Sequence, residues 1–168
     1  MNLFLWGALP YIAFTFLIVG TLVRFFYFER NWTTKSSQFL EKKQLRIANP
    51  LFHFGLLCVI GGHVVGVLIP KTWTAAIGIN DHMYHQGALY MGAVAGLIFI
   101  VGFLLLMKRR FTVAELKVNT SRLDKWLYLF LTLAIFSGMA GTLLNASGFF
   151  DYRVSIGPWF RSLLAFMP

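Results

Sequence analysis

His53 and His63 stand inside one apolar run, NPLFHFGLLCVIGGHVVGVLIP. An imidazole placed in hydrocarbon is costly, and such groups face a partner or a cofactor rather than lipid. On a helix rising about 1.5 Å per residue, the two rings lie roughly 15 Å apart along the axis and about 80° apart around it. They occupy two depths and look into one sector of a bundle. A single metal ion cannot be held by both, whereas two sites stacked across the membrane can. Two chemistries use such a ladder. One is a proton relay. The other is a pair of iron porphyrins, each taking one axial imidazole, that carries electrons across the dielectric barrier.

The neighbours of the histidines fit both packing and cofactor clearance. Gly55, Gly61, Gly62 and Gly66 lack side chains and let a flat macrocycle or another helix approach the backbone. Gly62/Gly66 and Gly92/Gly96 also satisfy the small-xxx-small spacing of helix contacts in membranes. Cys58 is the sole cysteine, so an internal disulfide and Cys-x-x-Cys thiol exchange are excluded, and it reads as a small apolar packing residue.

The elements that position these residues follow from composition. Of 168 residues 58% are hydrophobic and 12% charged, too apolar for one soluble core to bury. The expected fold is an all-α membrane protein, a bundle of four transmembrane helices forming one domain. Uncharged stretches matching a ~30 Å hydrocarbon core lie at 3–23, 51–69, 87–107 and 126–144, with a tail at 145–168 on the outer face. Asn49 is expected to cap and Pro50 to open the second helix; Pro70 follows its end, and Lys108-Arg109-Arg110 stops the third. No Lys or Arg precedes Arg24, so the first span is expected to be retained rather than cleaved as a signal peptide.

The net charge of +9 is topological in origin. Arg30, Lys35, Lys42, Lys43 and Arg46 fall in the first connector and Lys108, Arg109, Arg110, Lys117, Arg122 and Lys125 in the third, whereas the 70–86 connector carries only Lys71 and Asp81. By the positive-inside rule the first and third connectors face the cytoplasm and the N-terminus lies outside. This distribution argues against nucleic acid as a partner and leaves the basic face to anionic lipid or an acidic subunit.

Trp32, Ser36-Ser37-Gln38, Leu51-Phe52-His53-Phe54-Gly55, Gly62-His63-Val64-Val65-Gly66 and Pro70 together resemble the cytochrome b-type gamma subunit of membrane-bound respiratory nitrate reductases. The similarity continues through GAVAGL, MKRR and GPWFRSLLAF, and so covers essentially the whole chain. It implies a five-helix subunit of the bacterial cytoplasmic membrane with its N-terminus outside. Such a subunit oxidises quinol near the outer face and passes electrons through two b haems to an iron–sulfur (beta) subunit, which serves a molybdenum-containing catalytic (alpha) subunit. In that scheme His63 ligates the outer haem and His53 the inner one, with Gly55, Gly62 and Gly66 giving clearance. The family takes the second axial ligands from a further span, and no histidine follows His85. The chain is therefore expected to be an N-terminal portion that is not active alone.

At the outer mouth, DHMYHQ offers Tyr84 and His85 as quinol-positioning or proton-accepting groups. His82 and His85 could instead take a metal, or the stretch could be a solvated helix start with Asp81 at its dipole. On the cytoplasmic side Trp32, Gln38 and Phe39 are the candidates for partner docking, the alternative being an amphipathic segment on the membrane surface. The rival functions are a small transporter or proton-conducting protein using His53 and His63 as a relay, and a structural anchor for a peripheral enzyme.

Overall fold

The computed structural model describes residues 3–28 and 39–167. Trp32 and Gln38 lie outside the described residues. Regular structure among the described residues is helical: α1 (Leu9–Tyr27), α2 (Lys43–Leu68), α3 (Lys71–Ala76), α4 (Asp81–Thr112), α5 (Ala114–Val118), α6 (Arg122–Ala146) and α7 (Ile156–Leu164). Four helices are long and apolar enough to cross a membrane, Phe4–Tyr27, Lys43–Leu68, Asp81–Thr112 and Arg122–Ala146, as the hydropathy of the sequence predicts.

The chain divides into two units. One combines the N-terminal helix with the residues from Arg161 onward. Its first turn, Phe4–Ala8, is π-helical, and the Leu9 N–H donates to the Phe4 carbonyl. Pro10 explains the widening, because it has no N–H to continue the α-helical ladder. The Tyr11 hydroxyl donates to the Leu163 carbonyl at 2.8 Å, and its ring stacks on Phe166 with centroids 5.8 Å apart.

The other unit, Ser37–Phe160, is built on α2 and α4. These run antiparallel and touch backbone to backbone. A Cβ on Gly55 would lie 2.6 Å from the Phe99 Cα, and one on Gly102 would collide with the Phe52 backbone. The Phe52 ring seals the crossing, 5.2 Å from Phe99 and 6.4 Å from Phe103. In lipid, where apolar burial does not drive helices together, such close approach is the main source of association. The small-xxx-small expectation fails at Gly92, Gly96 and Gly62, where an added Cβ would meet no heavy atom within 4 Å. The contact is instead made by glycines paired across helices, a relation that spacing within one helix does not contain.

α2 also starts earlier than expected. It begins at Lys43 with Pro50 inside it, so Asn49 is not its cap. Glu41 supplies the start: its Oε1 accepts from the Gln44 N–H at 2.7 Å, while Oε2 takes the Arg109 Nε–H at 2.6 Å. Arg109, buried at the far end of α4, also donates to the Glu41 carbonyl at 2.7 Å. The bond from Gln44 and the neighbouring guanidinium hold the Glu41 carboxyl below its usual range despite some desolvation. With the helix nucleated by these bonds, Pro50 removes one ladder bond without ending it.

α6 joins α4 at the same end. Arg110 donates to Asp124 at 2.8 Å, and Tyr128 packs between Phe103 and Phe111 at 6.4 and 5.8 Å. Ser121 and Asp124 form a capping box: each side chain accepts from the other's backbone N–H, at 3.1 and 2.9 Å. Replacing Ser121 by alanine is expected to cost about 1 kcal/mol, read as a lower midpoint in detergent denaturation with the span retained.

Candidate functional site

His53 and His63 are placed alike. In each, Nδ1 lies against the carbonyl four residues back, His53 at 2.9 Å from Asn49 and His63 at 2.8 Å from Val59. A carbonyl only accepts, so Nδ1 carries the proton and Nε2 keeps its lone pair. This bond fixes the ring's tautomer and direction, the preparation seen at imidazoles that ligate metals. Both residues are exposed in the isolated chain.

Helical geometry shows where they look. Ala48, Gly55 and Gly66, the buried residues of α2, form one stripe, with Gly55 pressed on α4. At about 100° per residue, His63 falls roughly 60° from that stripe and His53 roughly 140° from it, both on the same side. The imidazoles thus lie on the same side of α2 about 80° apart, His63 flanking the α4 contact and His53 turned largely away from it. The Phe52 ring meets the His53 ring edge-on at 5.1 Å, which ties the His53 imidazole to the helix crossing.

The three candidate clearance glycines differ. Gly62 is open, Gly66 abuts the Tyr152 ring, whose Cε2 would be 3.1 Å from an added Cβ, and Gly55 is filled by the Phe99 backbone. For Gly55 the clearance is used by α4, which corrects its assignment to a macrocycle. The residues present therefore fit an axial-imidazole site at two levels, with open backbone at Gly62, and they supply one ligand for each.

The end where α2 closes and α4 opens carries a polar network that no local sequence pattern assembles. DHMYHQ is the opening of α4, capped by Asn80, whose side chain accepts from the Met83 N–H at 2.8 Å. Lys71 donates to Asp151 at 2.9 Å and to Asp81 at 3.4 Å. Arg153, buried with its side chain 6% exposed, donates to Thr74 at 3.0 Å and to Asp81 at 3.4 Å, and its guanidinium lies 3.7 Å over the Tyr84 ring. Its Nε–H is buried with no hydrogen-bond partner among the described residues, a condition that costs about 1–3 kcal/mol.

Two bonds in this network set its charges. The Asp151 hydrogen bond raises the Lys71 ammonium above its ordinary range, outweighing desolvation. Burial pushes the Asp151 carboxyl upward, but Lys71 and the Arg153 N–H more than offset it and hold it low. Burial, reinforced by Tyr84, raises the Tyr152 hydroxyl well above a free phenol. Tyr84 and His85, named from sequence, are half-buried here; Tyr152 and Arg153 were missed. The signal for them was present in DYR: a cation on the face expected to be poor in cations, with an aspartate beside it. His82 and His85 gain no further ligands, since among the described residues no group of three or more His, Cys, Asp or Glu could hold a metal ion. On the opposite end Phe39 is 97% exposed.

Comparison with known proteins adds the following. A family model described as nitrate reductase gamma subunit matches residues 2–168. The nitrate reductase gamma chain of Bacillus subtilis is 44% identical over 165 residues, covering 98% of this chain and 74% of that protein. The nitrate reductase-like protein NarX of Mycobacterium tuberculosis is 40% identical over 166 residues, 97% of this chain but 26% of its own length. The respiratory nitrate reductase 1 gamma chain of Escherichia coli is 31% identical over 124 residues, 74% of this chain and 55% of its own length.

Proposed function

Because this chain belongs to the nitrate reductase gamma subunit family, we propose that it is the membrane-embedded, dihaem cytochrome b-type part of a respiratory nitrate reductase, oxidising quinol at the outer face and delivering electrons to a cytoplasmic iron–sulfur subunit. The observation that carries this reading is the matched pair of Nδ1–carbonyl bonds, which leaves two Nε2 lone pairs at two depths of α2. A proton relay needs a ring nitrogen free to receive and another free to give; here both Nδ1 atoms are committed to the helix that bears them.

His63 would hold the outer haem and His53 the inner one, each as a single axial ligand. Haem, when bound, supplies a one-electron carrier at each level. The chain's own residues then have distinct tasks. The Asn49 and Val59 carbonyls orient the imidazoles; Tyr84 and His85 at the start of α4 hydrogen-bond the quinol hydroxyls, with the His85 imidazole as the group that takes a proton; Phe39 offers an apolar contact to the partner subunits. The basic connectors fix the N-terminus outside and the Glu41–Arg109 end in the cytoplasm of a bacterial plasma membrane.

The test is a reduced-minus-oxidised spectrum with a haem count on the complex containing the full-length subunit. Two b haems per complex, both reduced by quinol, are expected. A preparation that is folded and assembled yet has no b-type absorbance would reject the reading in favour of a relay or an anchor.

A further inference from the structure

Arg153 lies outside every span, 79 positions from Thr74 and 72 from Asp81, and yet is one of the most deeply buried cations of the described residues. Arg110, which ties α4 to α6, also leaves its Nε–H without a partner, and a buried guanidinium such as Arg153 is best satisfied when all its donors find one. Two of its nitrogens do so, on Thr74 and Asp81. The Nε–H does not. The plane of the group is held by the Tyr84 ring beneath it, so it cannot swing freely to find a partner. Tyr152, the preceding residue, shares a side-chain hydrogen bond with Tyr84, and its hydroxyl edge, which keeps further bonding capacity, faces Gly66, one turn of α2 beyond His63. Gly66 has no side chain to keep that phenol away, with the hydroxyl oxygen 3.2 Å from where a Cβ would stand.

We propose that Arg153 and Tyr152 form the head-group end of the quinol site, with the Arg153 Nε–H and the Tyr152 hydroxyl reaching a quinol oxygen and Arg153 also positioning Tyr84 through the stacked ring. The proposal rests on the quinol-oxidising reading and adds to it two residues from the segment after α6. A planar, always-charged donor suits a neutral hydroxyaromatic ligand that must be bound without proton exchange at the donor itself. It also makes the segment after α6, and not only the start of α4, a determinant of which quinols are accepted.

The experiment uses the assembled, haem-loaded complex with Arg153→Lys and Tyr152→Phe, assayed with a short-tailed hydroquinone. Both variants are expected to raise KM for the hydroquinone about tenfold, the scale of one or two lost hydrogen bonds, with kcat within about twofold. Haem count and dithionite-reduced spectrum should match the unaltered complex. Arg153→Lys keeps the charge, so a purely electrostatic tie between loops would be rescued by it, whereas a positioned Nε–H would not. An unchanged KM in both variants, with quinol oxidation normal in the unaltered complex, overturns the assignment and leaves the quinol reading standing. Loss of haem in Arg153→Lys together with unchanged KM in Tyr152→Phe also overturns it, making Arg153 a structural tie. Absence of quinol oxidation in the unaltered complex would overturn both.

Discussion

Replacing His63 by leucine is expected, on the proposed dihaem reading, to remove one b-type haem of two and to lower quinol-driven nitrate reduction by at least about 100-fold. Even the groups that merely orient a metal-ligating imidazole are worth roughly 10–100-fold when lost, and on the proposed assignment this change removes the ligand itself. The Val59 carbonyl that held the ring is part of the α2 ladder, so the span should survive and the subunit still assemble. The matching change at His53 separates the two levels. It is expected to remove the other haem and block delivery to the cytoplasmic partner while leaving quinol able to reduce the remaining outer haem. The measurements are haem count, the quinol-reduced spectrum and nitrate turnover from quinol. Full quinol-dependent turnover in both variants would discard the ligand assignment.

The second large effect is predicted at Gly102. A side chain there drives into the Phe52 backbone, as one on Gly55 drives into Phe99. Backbone has no rotamer to escape into, so Gly102→Val should separate α2 from α4 and cost about 3 kcal/mol or more, the upper range for overpacking. Because Phe52 adjoins His53 and meets its ring, the inner site should be disturbed first. Gly96→Val serves as the control, since its surroundings are open. The comparison is resistance to denaturing detergent together with haem content. Equal behaviour of the two variants would show that the crossing does not hold the helices.

The sequence carries some of this architecture plainly and some not at all. Span count and type follow from uncharged length, and the four helices long enough to cross a membrane agree with it. The paired imidazoles stand out in the sequence because a titratable group in an apolar run is rare, while their matched bonds to the Asn49 and Val59 carbonyls are seen only in the folded chain. The start of α2 was misjudged, because Pro50 looks like a first-turn proline until Glu41 is seen bonding Gln44 and Arg109, a residue 68 positions away. Gly55 and Gly102 are interchangeable in sequence with Gly92 and Gly96; what distinguishes them is the helix opposite. Arg153 finds Thr74 and Asp81 across more than 70 positions, and no local pattern encodes such a meeting. Local periodicity thus reports which residues prefer lipid, whereas polar closure at the ends of the helices is a property of the assembled chain.

The length of α4 has a consequence for how the molecule rides in its bilayer. Charged knots sit near both of its ends, Asp81 with Lys71 and Arg153, and Arg109 with Glu41. About 28 residues separate them, roughly 42 Å of helix, close to the ~40–45 Å span of a bilayer with its head groups. With α4 spanning the bilayer, each knot would fall in one layer of head groups, so vertical drift would drag one of them into oil. A thinner membrane is therefore met by leaning rather than by sinking, and the two imidazoles keep their order between the surfaces whatever the lipid.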